Sequence, residues 1–278
     1  MTDIANIPNL AVAAGAVTNV DLVQPFADNA TVGTSFETIT NTNADQVIPV
    51  IAGADIDVVS ADAADDVGST GATEVTVTYL DSSFNQATEA IAMNGATEVE
   101  MTDQTVTFIQ KAEVTGTGTG LASAGAITIA DVTGGGVHAV IDAGSRDSGN
   151  CTWMVPAGHV GYVHGFWYDV DAVAAGAGTV EIALQVAHAG FSGVANSETW
   201  RTVGKVTVVE GDNDIVAATG GNSNNTGTFT FPGNMPFKVP AKTMVRLAGK
   251  AGSTAAAVTA GFSMTVQGSN AGTVSTSN

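Results

Sequence analysis

The chain has 278 residues and a mass of 27.7 kDa, with 33 Gly, 13% charged residues and a formal charge of −19 from 8 Lys+Arg against 27 Asp+Glu. No apolar run approaches the ~18 residues a membrane-spanning helix needs, and 44% hydrophobic residues argue against a charge-rich disordered chain. A polyanion lacks the Lys and Arg that displace counterions from phosphate backbones or anionic lipid, so neither nucleic acid nor membrane is an expected partner; a basic protein surface is.

Residues 1–60 carry no Lys or Arg, and Phe26 and Phe36 are their only aromatic residues. So little apolar surface returns less than the entropy of ordering. The expectation is an extended acidic N-terminal arm whose short runs, Ile48-Pro-Val-Ile and Ile56-Asp-Val-Val, add as strands to a partner's sheet, with Phe26, Phe36 and Ile51 filling pockets. The start, Met1-Thr-Asp-Ile-Ala-Asn-Ile-Pro, shows no basic segment followed by an apolar core, so synthesis in the cytoplasm without a secretory signal is expected.

Residues 61–145 begin with a polar turn and then alternate. Val75, Val77 and Tyr79 face one way, Thr76 and Thr78 the other, which is the period of a half-buried strand. Further strands are expected around Thr105–Val114 and Ala126–Val132, and onward to Ile141. Thr115-Gly-Thr-Gly-Thr-Gly-Leu contains G-x-G-x-G, but no helical pattern follows to supply an anion-binding terminus, so it reads as a flexible turn, as does Gly134–Gly136. Asp62, Asp65 and Asp66 lack the register of a calcium loop and read as solvated acids.

Residues 146–278 hold all three Trp residues, seven of the eight bases and six of the ten Phe residues. Strands are expected around Cys151–Val155, Val160–Asp169, Val180–Val186, Val203–Val209, Thr228–Phe231, Met244–Leu247 and Phe262–Val266, before a small, polar, frayed tail. No helical stripe and no solenoid repeat interrupts them. The fold class that follows is all-β: two β-sandwich (jelly-roll-like) domains, 61–145 and 146–278, preceded by the arm.

Chemistry-bearing residues are sparse. His138, His159, His164 and His188 are scattered without a zinc spacing. Cys151 stands alone, which excludes an intrachain disulfide, and its Thr/Trp/Met/Val surroundings suit an inert buried thiol better than a nucleophile. No catalytic, metal or cofactor residue is assigned, and a non-enzymatic role is expected. Trp153, Trp167 and Trp200 supply the alternative of stacking on sugar rings.

Ser60 and Asp65, Thr70-Gly-Ala-Thr, Leu80-Asp81, Phe84-Asn85, Thr88-Glu89 and Asn94-Gly95 follow one another in the stretch from Val58 to Gly95. This stretch resembles a pattern of tailed-bacteriophage virion proteins, particularly marine ones: S-x-x-x-x-D, G-x-G-A, a Thr/Val strand, L-D-x-x-[WYF]-N-x-x-[ST]-E, and a strand ending N-G. Gly68 departs from it, lying one residue too early for G-x-G-A. Thr107-Phe-Ile-Gln-Lys-Ala-Glu-Val and Gly125-Ala-Ile-Thr-Ile continue the likeness. A looser one covers Cys151–Phe166, whose Val155-Pro-Ala-Gly turn resembles those of phage head and tail β-domains; Val239-Pro-Ala-Lys repeats it. The resemblance implies a virion structural protein without catalytic residues, a capsid decoration (cement) or head-fibre protein that is trimeric and bound to the major capsid protein or another virion protein. Tail fibre, tail adaptor and adhesive carbohydrate-binding domain are the alternatives.

Overall fold

The computed structural model describes residues 19–41, 55–132, 136–170, 179–188, 200–209, 225–252 and 256–268. Ile51, the Ile48–Ile51 run, Gly134, Gly135 and the C-terminal tail lie outside the described residues. The described chain is almost wholly strand: β1 (Val20–Val23), β2 (Phe26–Val32), β3 (Glu37–Thr38), β4 (Ile56–Ser60), β5 (Ala72–Leu80), β6 (Gln86–Ala92), β7 (Val99–Glu100), β8 (Phe108–Thr117), β9 (Ile127–Asp131), β10 (Val137–Ile141), β11 (Thr152–Met154), β12 (His159–Val170), β13 (Thr179–His188), β14 (Arg201–Val209), β15 (Asn225–Thr230), β16 (Phe237–Val239), β17 (Thr243–Ala251) and β18 (Ala256–Gly268). A 3-10 turn at Pro232–Asn234 is the helical element among the described residues. The expected all-β, sandwich-type class holds.

Two pairs of sheets divide the strands. In one pair, β1-β18-β12-β15, with β2 on β18 and β16 on β12, faces β11-β17-β13-β14, with β3 on β17. Following the chain, β2, β12, β15 and β18 fall in the first sheet, and β3, β13, β14 and β17 in the second. This order, with β18 beside β2 and β17 beside β3, is a jelly roll. The other pair, β10-β9-β4-β7 over β6-β5-β8, is a smaller sandwich that contains the β5–β6 and β9–β10 hairpins.

The smaller sandwich is inserted into the jelly roll. β3 and β11 lie end to end along the same edge of β17: Thr38 faces Ala248, and Thr152 faces Arg246. Between them Ile39 N donates to Leu247 O (3.0 Å) and Cys151 N to Ile39 O (3.1 Å), so two segments more than a hundred residues apart in sequence act as one strand. Thr40 bridges Asn150 at the point where the chain departs and returns. Residues 20–38, expected to be an arm, are therefore jelly-roll strands, and β4 belongs to the inserted sandwich through β9 and β7. The low apolar content of this region misleads because an edge strand needs few large side chains. Ala27, Val32 and Ile39 suffice, since the long strands β17 and β18 supply the rest of that core.

Alternation accounts for both interiors. Val75, Val77 and Tyr79 point into the inserted sandwich with Ile109, Ile127 and Ile129. Val180, Ile182 and Leu184 meet Phe166, Val245, Leu247 and Phe262 in the jelly roll. A third cluster joins the units: Leu80, Phe84 and Phe108 pack on Met154, Ala187 and Met244.

Candidate functional site

The residues of the Val58–Gly95 stretch converge on one carboxylate. Asp65 is fully buried, and it accepts hydrogen bonds from Ser60 Oγ (2.6 Å), Ala72 N (2.6 Å), Ala124 N (2.8 Å) and Gly125 N (2.9 Å). Burial pushes its pKa up, yet the hydrogen bonds from Ala124, Ser60, Gly125 and Ala72 outweigh burial and hold it below the ordinary aspartate value. Gly71 is required because a Cβ there would lie 2.2 Å from Asp65 Oδ1, and Gly95, at φ +58°, donates its N–H to Asp65 O (2.7 Å). Four donors occupy about all the lone-pair directions of a carboxylate, which leaves none for a cation. Asp65 is thus neither a solvated acid nor a calcium ligand, and Asp62 uses Oδ1 to accept the Ala64 N–H.

Leu80-Asp81-Ser-Ser-Phe84-Asn85 forms the β5–β6 turn. Asp81 Oδ1 accepts Ser83 N (2.8 Å) and Asn85 N (2.9 Å), which holds Phe84 in the left-handed region at φ +66°. That conformation turns Phe84 to the joint between the units. Its carbonyl accepts Ala157 N (2.8 Å), and Lys242 Nζ sits 4.7 Å from its ring centroid. The two Val-Pro-Ala turns meet there: Gly158 (φ +71°) and Lys242 (φ +58°) occupy equivalent left-handed corners, and Lys242 N donates to Val155 O (2.7 Å).

The G-x-G-x-G segment is no loose turn. Gly116 faces Glu74 and Thr117 faces Ala72 at the end of the β5–β8 ladder, Gly118 N donates to Gly71 O (2.8 Å) and Gly120 N to Thr70 O (2.7 Å). A Cβ on Gly118 would meet Ser69 O at 2.0 Å and one on Gly120 would meet Thr70 O at 2.7 Å. Glycine is used here for close backbone approach, not for phosphate.

Each of three histidines has a local partner: His138 Nε2 with Asp131 Oδ1 (2.8 Å), His159 Nδ1 with Ala157 O (2.8 Å) and His164 Nε2 with Thr265 Oγ1 (2.6 Å). His188 closes β13 at an exposed position. Among the described residues, no three His, Cys, Asp or Glu side chains are grouped to hold a metal ion. Cys151 is buried, its Sγ donates to Ala260 O (2.9 Å), and burial raises its thiol far above the range in which a thiolate forms at neutral pH.

The aromatic positions separate. Trp153, 8% exposed, lies on β11 in the jelly-roll core. Trp200 packs at the joint with the Arg246 guanidinium 4.0 Å from its ring centroid, while buried Arg246 donates Nε to Gln185 Oε1 and Nη1 to Thr38 Oγ1, each at 3.0 Å. Trp167 faces outward at 41% exposure from the opposite sheet, so the three tryptophans share no groove. Phe26 is 57% exposed on β2, in a strand already paired with β18. Phe36 is half-buried, with Lys250 Nζ 5.6 Å from its ring centroid. The structure thus brings together Phe26 and Trp167, which the sequence kept in different classes. It also places Gln110, which the Thr107–Val114 stretch contains but to which the sequence assigns no role, at the joint: Gln110 Nε2 donates to Met154 O (2.6 Å) and Met154 N donates to Gln110 Oε1 (3.0 Å).

No protein-family model matches the chain, and no curated protein matches it. Among solved structures it is similar to the Gx strain of infectious bursal disease virus (13% identity, 90% of this chain and 71% of that one, TM-score 0.22) and to the Gt strain (11%, 92% and 75%, 0.21). A VP2 subviral particle of infectious bursal disease virus gives 11% identity over 94% of this chain and 82% of that one, with a TM-score of 0.19. Scores of this size leave the jelly roll and its insertion to stand on their own strand connectivity.

Proposed function

We propose that the chain is a non-enzymatic virion structural protein of a tailed phage, a capsid decoration (cement) or head-fibre protein that works as a homotrimer on the capsid surface. The observation that carries this reading is the Val58–Gly95 stretch. Its phage-like residues are the ones that fasten the inserted sandwich through Asp65 and dock it on the jelly roll through Phe84. Double-sheet jelly rolls serve viral capsids and lectins alike, an analogy of fold that agrees with the reading without selecting the virion location. The net charge of −19 favours a basic receiving surface, such as one on the major capsid protein. Among the described residues no helix is long and apolar enough to cross a membrane.

The test is co-purification. Particles of the phage that encodes this chain, banded in a density gradient and analysed by quantitative mass spectrometry, are expected to contain it in many copies per capsid. Absence from banded particles contradicts the reading, and a copy number matching a single tail would reassign it to fibre or adaptor.

A further inference from the structure

We propose that the outer face of the β2-β18-β12-β15 sheet carries a saccharide-binding shelf, built by Phe26, Gly261 and Trp167, that takes one pyranose ring of a neutral glycan. Phe26 and Trp167 are the register partners of Gly261 on its two sides. A Cβ on Gly261 would lie 2.9 Å from Phe26 Cβ and 2.9 Å from both Cε2 and Cζ2 of Trp167. The indole therefore lies across β18 over a position that has no side chain, with Phe26 against it. Neither exposure reflects loose packing, because the inward neighbours Ala27, Phe166 and Phe262 are buried in the jelly-roll core.

The surroundings of the shelf select its occupant. One step along the same face stand Asp28, Thr259 and Asp169 in register, with Thr259 Oγ1 donating to Asp28 Oδ1 (2.8 Å), while Asp169 Oδ1 is buried and has no hydrogen-bond partner among the described residues. Thr228 lies opposite Trp167 on β15. An apolar partner surface needs a contiguous patch of several hundred Å², whereas here two rings are bounded by hydroxyls and carboxylates. A subunit interface needs about 800 Å² per partner, more than two aromatic side chains provide. Carboxylates repel an anionic ligand. A pyranose fits instead: its C–H face is apolar and weakly positive, matching the negative face of the indole, and its hydroxyls donate to the exposed Asp28 carboxylate. The proposal stands on this geometry alone and does not depend on where the protein sits in a particle.

The test is titration of the full chain with maltohexaose, cellohexaose, chitohexaose and mannohexaose, followed by calorimetry and by tryptophan fluorescence. Saturable binding of at least one of them below about 10 mM is expected. Trp167→Ala and Phe26→Ala should each weaken it by about tenfold or more with an unchanged circular dichroism spectrum. Met235→Ala, at another exposed apolar position, should leave it unchanged. If Trp167→Ala fails to fold, Phe26→Ala decides, since that side chain is the more exposed. The proposal is overturned if none of the four sugars binds, if the folded variants bind as the wild type does, or if they change the oligomeric state in light scattering, which would make the face a subunit interface.

Discussion

Gln110 on β8 and Met154 on β11 exchange both of their facing hydrogen bonds, so that the Gln110 side-chain amide takes the place of a neighbouring strand's backbone at the joint between the inserted sandwich and the jelly roll. All of these atoms are buried, beside the Leu80, Phe84, Phe108, Met154 and Met244 cluster. An amide is the side chain that donates and accepts in this geometry, and leaving a buried backbone group without its partner costs more than the bond itself contributes. Gln110→Ala is expected to lower unfolding free energy by about 2–4 kcal/mol. Gln110→Glu should also destabilise at neutral pH, because a carboxylate cannot donate to Met154 O. Urea unfolding monitored by circular dichroism measures both; an unchanged midpoint for Gln110→Ala would show that the apolar cluster alone holds the joint.

Asp65 links stability to pH in a definite direction. Its folded pKa lies below the ordinary value of about 3.9, so its contribution is complete above that value and is lost as pH falls through the folded pKa. Asp57 and Asp21 act in the opposite sense. Burial raises both; Glu98, Asp131 and Glu100 raise Asp57 further, while His159 partly offsets the rise at Asp21. Comparison with Asp65→Asn isolates the first effect. The variant, which turns an NH₂ toward N–H donors, should lose about 3 kcal/mol at pH 7, and its deficit should narrow below pH ~4. A deficit constant from pH 7 to pH 3 would contradict the role assigned to the carboxylate's charge.

Gly118 tests close backbone approach. A methyl group there meets the Ser69 carbonyl at 2.0 Å and Thr70 Cα at 2.8 Å, both main-chain atoms that cannot turn aside. Gly118→Ala should cost about 3 kcal/mol. Gly144→Ala is the matched control: its φ is +79° but its Cβ would meet nothing within 4 Å, so only the left-handed conformation, about 1–2 kcal/mol, opposes it. Equal melting temperatures for the two variants would mean that the 115–121 segment moves freely enough to relieve the clash.

Residues 19–41 are structural. Removing residues 1–41 deletes β1, β2 and β3, exposes the edges of β17 and β18 and takes Ala27, Val32 and Ile39 from the core. Fully burying each large apolar side chain contributes about 1.5–3 kcal/mol, against a total stability of about 5–15 kcal/mol for a domain. The truncated chain is expected to aggregate or to lose its cooperative thermal transition. A soluble product with the same β spectrum and melting temperature would restore the reading of this segment as a detachable arm.

These tests separate what local pattern encodes from what pairing decides. Val75, Val77 and Tyr79, or Val180, Ile182 and Leu184, announce their strands and inward faces because side chains alternate with period two whatever the neighbouring strand. The partnership of Thr38 with Ala248, or of Thr40 with Asn150, has no local signature, so the sequence alone does not reveal the insertion and the segment before it reads as an arm. The residues of the Val58–Gly95 motif are legible in the sequence, and their job is not. Asp65 reads as one acid among several until Ala124 and Gly125 are seen donating to it. Trp153, Trp167 and Trp200 are equivalent in sequence, and only the sheet face and the Arg246 stack tell a core ring, an exposed ring and a joint ring apart.

The proposed virion role is tested most directly by cryo-electron microscopy of intact particles of a tailed phage found to encode this chain. The account predicts repeated trimeric density on the capsid surface into which a jelly roll fits with its inserted sandwich held rigidly against it through the Gln110–Met154 joint. A capsid surface on which no such density can be traced, in particles shown by mass spectrometry to lack the chain, would contradict it.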